Sequence, residues 1–350
     1  MGKIPVGLVG VTGYGGMELA RLLAAHPSLE LVRATSRAEA GKRLCDLYPF
    51  LSGFPLGELT VTAPDAADLA SACKLVFLAV PHGAAMDYAA ELLEAGLKVV
   101  DFSADFRLAE KDVYAAWYGL DHRHPGLLPE AVYGLPELYE KDIASCRLLA
   151  NPGCYPTSII LGLAPALAAG LVETSDIVAD SKSGASGAGR KAQVGTLFCE
   201  VHDSFRAYNL GKHRHTPEIE QELSKLAGEP LVLSFNPHLL PIDRGILSTI
   251  YARLAKDVSL DEVHALYADY YAGKTWVRVL EKGRLSETRW VRGTMFCDVS
   301  LTVDPRTKRL IVCSAIDNLC RGAAGQALCC ANLMLGLDKD AGLALPAFMP

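Results

Sequence analysis

The chain has 350 residues and a formal net charge of −6, with 50% hydrophobic and 21% charged residues. That length exceeds one ordinary core, so two domains are expected, and the composition excludes a disordered chain. The negative balance argues against a nucleic-acid surface or an anionic membrane as partner, while leaving room for a local basic pocket that takes a small anion.

The N-terminus opens almost directly into a strand-like run, Ile4–Val9, with no basic-then-apolar leader. No apolar run reaches the ~20 residues of a membrane span. Ten cysteines are scattered without a CxxC pair, and the adjacent Cys329-Cys330 sit in an apolar helical stretch. Small buried thiols in a reducing compartment are expected, with no disulfide framework and no metal site. A cytoplasmic location follows as an expectation.

In chain order, strands are predicted at Ile4–Val9, Leu29–Ala34, Leu75–Ala79 and Lys98–Phe102, with helices over Met17–Leu23 and Ala84–Leu93. Alternating strands and helices read as a doubly wound parallel sheet. A helix over Ser158–Ala169 then leads into longer β-rich segments at Ile177–Ser181, Gly245–Leu254, Thr294–Val303 and Leu310–Ala315. These suggest a mixed sheet of the kind that buries a dimer interface. A last helix, Ala323–Leu335, carries small residues at close-packing positions.

Gly10-Val11-Thr12-Gly13-Tyr14-Gly15-Gly16 follows the first strand and opens the first helix. Glycines there permit a tight turn and let backbone N–H groups approach a pyrophosphate at the helix N-terminus. A purely structural turn is the alternative. The second strand ends in Thr35-Ser36-Arg37 rather than in the carboxylate that holds ribose hydroxyls in NAD sites. Hydroxyls and a guanidinium suit a 2′-phosphate, so NADP(H) is the expected cofactor.

Cys154 lies in Asn151-Pro152-Gly153-Cys154-Tyr155-Pro156-Thr157, just before a helix pattern. A cysteine at a helix N-terminus gains thiolate character from the dipole and nearby N–H donors, and the same donors suit an oxyanion. Its acid–base partner is sought in His213-Arg214-His215-Thr216-Pro217-Glu218, a loop entering a helix. Ser103–Arg107 sits at the carboxyl edge of the fourth strand. Ser181–Lys191 is a Gly/Ser loop with cations at Lys182, Arg190 and Lys191. Such a loop suits a phosphate or carboxylate. His122 and His124 receive no role.

Together these motifs resemble the N-acetyl-gamma-glutamyl-phosphate reductase family, within the wider aspartate-semialdehyde dehydrogenase group. Ala79-Val80-Pro81-His82-Gly83 and Ala315-Ile316-Asp317-Asn318 add to the match, which spans nearly the whole chain. The resemblance implies an α/β fold: a Rossmann-type parallel-sheet domain over 1–150, completed by a C-terminal helix from about 318 to 350, and an α+β substrate and dimerisation domain with a mixed sheet over 151–317. It implies NADPH-dependent reduction of an acyl phosphate through a Cys154 thioester, in a homodimer or homotetramer. His215 is the favoured acid–base group, with His213 touching substrate. The cofactor would lie along Gly10, Thr12, Gly13, Tyr14, Gly15, Gly16, Ser36, Arg37, Pro81, His82 and Gly83, with Asn318 on the nicotinamide carboxamide. Arg107, Lys182, Ser183 and Arg190 are candidates for the anionic substrate. The rival readings are a sibling reductase acting on an aminoadipyl phosphate and a Cys-His hydrolase, which leaves the glycine loop unexplained.

Overall fold

A computed structural model describes residues 2–349. The chain divides into two compact units, Met1–Pro152 with Ala323–Leu345, and Gly153–Gly322 with Pro346–Pro350.

The first unit is built on a six-stranded sheet in the order β2-β1-β3-β4-β6-β5, parallel throughout. Its strands are β1 (Ile4–Val9), β2 (Leu29–Thr35), β3 (Leu75–Leu78), β4 (Lys98–Asp101), β5 (Ala131–Tyr133) and β6 (Leu148–Ala150). Every residue of β3, Leu75-Val76-Phe77-Leu78, is buried, as a strand covered on both faces requires. The helices are α1 (Tyr14–Ala24), α2 (Leu44–Leu47), α3 (Ala66–Ala72), α4 (Ala85–Glu94), α5 (Lys111–Tyr118) and α6 (Pro136–Ser145). The expected strands and the helices around Met17–Leu23 and Ala84–Leu93 are all present.

The sequence pattern missed α3, α5, α6, β5 and β6. Tyr114 is the only buried residue of α5, so it shows no apolar stripe, and β5 and β6 are three residues each. Tertiary packing creates these elements.

The second unit opens with α7 (Cys154–Ala168), buried from Tyr155 through Leu167. This helix starts four residues before the expected Ser158. Further helices are α8 (Phe198–Val201), α9 (Thr216–Ala227) and α10 (Leu260–Tyr270). The seven-stranded mixed sheet runs β11-β12-β13-β10-β7-β9-β8. Its members are β7 (Ile177–Gly184), β8 (Arg206–Ala207), β9 (Leu233–Leu240), β10 (Ile246–Arg253), β11 (Val277–Val279), β12 (Cys297–Asp304) and β13 (Arg309–Ile316). Here β8, β9, β11, α8 and α10 escaped the sequence reading.

One face of this sheet packs on α7. Ser158 of α7, Ser248 of β10 and Ser181 of β7 form a buried hydroxyl chain with 2.7 Å links. Alternation turns Asp180, Lys182, Thr249, Tyr251, Ile311 and Cys313 to the opposite face, where they are half-buried.

A π turn, Cys320–Ala324, precedes α11 (Gly325–Met334), which packs on α6 in the first unit. The chain beyond it is tied back by His26, which is fully buried. His26 Nδ1 accepts the Ser28 and Leu29 N–H groups at 3.1 and 2.8 Å, and Nε2 donates to the Ala341 carbonyl at 3.0 Å. Both roles require a neutral ring. Burial lowers its pKa, with Lys3, whose Nζ donates to the His26 carbonyl, adding to the effect.

A histidine whose folded pKa lies below the unfolded value of ~6.5 contributes stability above that pH, and the contribution is lost as pH falls below it. Urea unfolding at pH 7.5 and 5.5 checks this. His26→Ala should lower stability by about 1–3 kcal/mol at pH 7.5 and show a smaller loss on acidification than the unsubstituted chain.

Candidate active site

In the first unit, Gly10 N–H and Val11 N–H donate to the Thr35 carbonyl at 3.0 and 3.2 Å, closing the loop after β1 against the end of β2. Gly10 has φ +92°, and a Cβ there would sit 2.3 Å from the Ala79 carbonyl oxygen. A Cβ on Gly16 would sit 2.4 Å from the Gly10 carbonyl oxygen. The fold itself demands these two glycines.

Gly13 differs. It caps α1 with φ −75°, a conformation open to any residue, and a Cβ there would meet nothing nearer than the Gly10 carbonyl at 3.9 Å. A glycine that the protein does not need leaves a cradle for a ligand at the helix N-terminus, where N–H groups of the first turn are available. Thr12, Tyr14 and Gly15 line the same loop and are half-buried.

At the end of β2, Thr35 Oγ1 is buried without a hydrogen-bond partner, Ser36 is buried, and Arg37 is exposed near the Tyr88 hydroxyl at 3.4 Å. The nearest following carboxylate, Glu39, pairs with Lys42 at 2.6 Å. These residues fit a nucleotide cofactor with a phosphorylated ribose.

The turn after β3 is held by Asp105, a member of the Ser103–Arg107 segment to which the sequence assigned no role of its own. The buried Asp105 carboxylate accepts Gly83 N–H at 2.7 and 2.9 Å, Ala85 N–H at 3.1 Å and the Tyr114 hydroxyl at 2.7 Å. His82 Nδ1 accepts Ala104 N–H at 3.0 Å. Pro81-His82-Gly83 is therefore fixed from the Ser103–Arg107 segment. Asp101, buried beside Asp105, has its pKa raised by desolvation and by that neighbour's charge. Arg107 is buried, and its Nε and Nη2 donate to the Asn151 and Phe102 carbonyls at 2.8 Å each. These bonds brace the chain before Cys154.

In the second unit, Cys154 is the first residue of α7 and half-buried. Gly153, the cap, donates its N–H to Glu218 Oε1 at 2.8 Å. Glu218 lies in the first turn of α9 and is buried. A Cβ on Gly322 would fall 2.7 Å from the Cys154 Cβ, so the chain at 322 passes directly over the cysteine.

The two histidines gather around the neighbouring residue, Tyr155. Ring centroids are 5.6 Å from Tyr155 to His213, 6.1 Å to His215, and 4.8 Å between the histidines. His213 Nδ1 accepts His215 N–H at 3.0 Å. Burial, then the Arg214 charge, lowers the His213 pKa to about 4. His213 is thus neutral near pH 7, whereas His215 caps α9 with its ring beside the cysteine's neighbour. Tyr208, also unforeseen, reaches the Tyr155 hydroxyl at 3.0 Å and contacts His213.

The Gly/Ser loop is braced by Asn318. Its Oδ1 accepts Gly245 N–H at 2.7 Å and its Nδ2 donates to Ser186 Oγ at 2.9 Å. That use of the amide in the loop competes with the expected nicotinamide role. Ser183 is buried on the α7 face, with its Oγ donating to the Gly184 carbonyl at 3.0 Å. Arg190 is exposed. Lys182 departs from expectation: strand alternation points it away from Ser183 and α7, and it pairs with Asp180 at 2.7 Å.

The family model described as "Semialdehyde dehydrogenase, NAD binding domain" matches residues 5–146, and "Semialdehyde dehydrogenase, dimerisation domain" matches 154–318. N-acetyl-gamma-glutamyl-phosphate reductase of Pelotomaculum thermopropionicum is 49% identical over 347 residues, covering 99% of each chain. That of Desulfotalea psychrophila is 51% identical over 351 residues, covering 99% of this chain and 100% of the relative. The chain belongs to the N-acetyl-gamma-glutamyl-phosphate reductase family.

Membership extends to the fold of a wider group. Aspartate semialdehyde dehydrogenase II from Vibrio cholerae, complexed with ASA, superposes with TM-score 0.72 at 16% identity, over 96% of this chain and 99% of that one. The Candida albicans aspartate semialdehyde dehydrogenase with NADP gives 0.72 at 17%, over 95% and 98%. At such identities the likeness concerns architecture alone.

Within this family fold, the two kinds of glycine should separate experimentally. Gly10→Ala should cost about 3 kcal/mol or more, from left-handed strain plus the clash at Ala79. Gly13→Ala should cost no more than about 1 kcal/mol as a cap change, yet weaken dinucleotide binding more than tenfold, on the order of 1.4 kcal/mol. Chemical denaturation and fluorescence titration with NADPH read the two effects separately.

Proposed function

We propose that the chain catalyses NADPH-dependent reduction of N-acetyl-gamma-glutamyl phosphate to N-acetylglutamate 5-semialdehyde and phosphate, a step of arginine biosynthesis. The observation that carries this reading is Cys154 at the N-terminus of α7, with the His213/His215 pair around its neighbour. Full-length relatives of about 50% identity bear that enzyme's name.

In this reading the Cys154 thiolate attacks the γ-carbonyl, phosphate leaves, and a thioester remains. The helix dipole favours the thiolate before attack, and N–H groups of the first turn of α7 favour the oxyanion during it. A thioester is a better electrophile than a carboxylate and carries no phosphate charge. NADPH, when bound, supplies the hydride. Gly10, Thr12, Gly13, Tyr14, Gly15, Gly16, Pro81, His82 and Gly83 would hold it, with Ser36 and Arg37 on the 2′-phosphate. His215 moves the proton to and from the carbonyl oxygen. His213, neutral because it is buried, orients His215 through the bond to its N–H and faces substrate. Arg107, Lys182, Ser183 and Arg190 are the candidates for substrate anions. Asn318 positions the loop that carries them.

The half-buried face of the mixed sheet, with Thr249, Tyr251, Ile311 and Cys313, is proposed as the interface of a homodimer, alone or within a tetramer. Among the described residues no helix is long and apolar enough to cross a membrane. A cytoplasmic location goes with a biosynthetic reductase.

The reverse reaction provides the test. N-acetylglutamate semialdehyde, phosphate and NADP⁺ should give a phosphate-dependent rise in NADPH absorbance, abolished by Cys154→Ala; retained activity in that variant sinks the thioester reading. His215→Asn should lower kcat by roughly 10²–10⁴-fold, the range for a lost general acid–base. His213→Asn should lower it less. Arg37→Asp should raise KM for NADP⁺ far more than for NAD⁺, and equal effects would overturn the 2′-phosphate assignment.

A further inference from the structure

Between the Gly/Ser loop and α9 the chain leaves the body of the second unit. From Gly187 to Arg214 nearly every residue is exposed or half-exposed, and Val201 alone is buried. This arm is nevertheless apolar. Val194 is 72% exposed, Leu197 50%, Phe198 75%, Phe205 59% and Leu210 54%. Its helices are short, a 3-10 turn at Val194–Thr196 and the four residues of α8, too few to be stable by themselves. Its internal ties are local: Arg206 donates from Nη1 to the Glu200 carbonyl at 3.1 Å and from Nη2 to the Gly195 carbonyl at 2.5 Å, Thr196 Oγ1 donates to the Gln193 carbonyl at 3.1 Å, and the Phe198 ring tilts on His202. Large apolar groups presented together on so thin a support mark a surface that another surface covers.

Both ends of the arm are fixed. At its start, Ala185 N–H donates to the Ile242 carbonyl at 2.8 Å and Ser186 holds Asn318. Towards its end, β8 pairs with β9, and the Phe205 ring lies 5.4 Å from His238, a residue of the half-buried sheet face. The apolar arm is thus continuous with the face proposed above as the dimer interface, in the segment whose family model is described as a dimerisation domain.

We propose that the 190–210 arm packs on a second copy of this chain, and that this seating orders the catalytic segment that follows it. The proposal rests on the sheet-face dimer and extends it. Tyr208, which bonds Tyr155, and His213, which holds His215, stand at the arm's far end. Those groups are already bonded within the single chain, and an arm clamped by the partner would hold them there against local opening of the exposed stretch before them. Dimerisation and catalytic competence are then one event.

Two double variants of the full-length chain separate the parts. Leu197→Ser with Phe198→Ser removes the arm's apolar tip, and the exposure of both side chains means that the single chain's fold does not depend on them. Tyr251→Asp with Ile311→Asp disrupts the sheet face. Sedimentation velocity, hydrogen exchange over 194–205 and activity are followed across a dilution series.

The expected result is a wild-type dimer with slow exchange in 194–205 at high concentration. Dilution should speed that exchange and lower kcat together. The arm variant should dissociate at a concentration raised ~10-fold or more, as for loss of interface hot spots. If the arm variant dimerises like wild type and 194–205 exchanges fast throughout, the arm proposal is wrong while the sheet reading stands. Slow exchange in a monomeric sheet-face variant also overturns it, since the arm then folds on its own chain. A monomeric wild type, or a dimer indifferent to both variants, overturns the arm and the sheet reading alike.

Discussion

The hydrogen bond from Gly153 N–H to the buried carboxylate of Glu218 is the constraint on which the site depends. A helix cap preceded by proline presents an N–H with no place in the helical ladder, and burial makes a partner obligatory. Glu218 supplies it from the first turn of α9, so one carboxylate ties the starts of α7 and α9 together. Cys154 is the first residue of one helix and His215 the cap of the other. The starts of both helices meet at this carboxylate, and a helix N-terminus favours negative charge close to it. The side chain that fixes this geometry need not touch substrate.

The same economy of anchoring recurs in the nucleotide unit. Asp105 holds Gly83 and Ala85, while Gly10 and Gly16 pack where no Cβ fits. The backbone turns that would surround a cofactor are therefore rigid before any ligand arrives. Preorganised N–H groups lose little freedom on binding, which lets a short loop hold a dinucleotide with few side-chain contacts.

Much of this was legible from residue patterns, and the limits have physical causes. Continuous apolar runs such as Leu75-Val76-Phe77-Leu78 exposed the parallel sheet, and the helix start at Pro152-Gly153 singled out Cys154 among ten cysteines. Pattern could not separate glycines kept for packing, Gly10 and Gly16, from Gly13, since all three share one letter. Nor could it say which cations remain available. Arg107 donates to backbone carbonyls and Lys182 pairs with Asp180 on the far face of β7. Asp105 in the first unit, and Glu218 and Asn318 in the second, each position their own segment through partners as far as 132 residues away. No local spacing encodes such distances.

His213 shows how burial divides labour between two identical side chains. Lying two residues apart, both could serve as acid or base by composition. Desolvation and the adjacent Arg214 depress the pKa of His213 to about 4, so in neutral solution its Nδ1 remains an acceptor and is occupied by the His215 N–H. A cation there would add a fixed charge beside Tyr155 and forfeit that bond. Keeping His213 neutral leaves helix ends as the fixed electrostatic support for negative charge, and it keeps the bond that sets the His215 backbone. Cys154 and His215 are then held at the starts of two helices joined at Glu218, and the His215 backbone is set by a histidine that burial keeps neutral near pH 7.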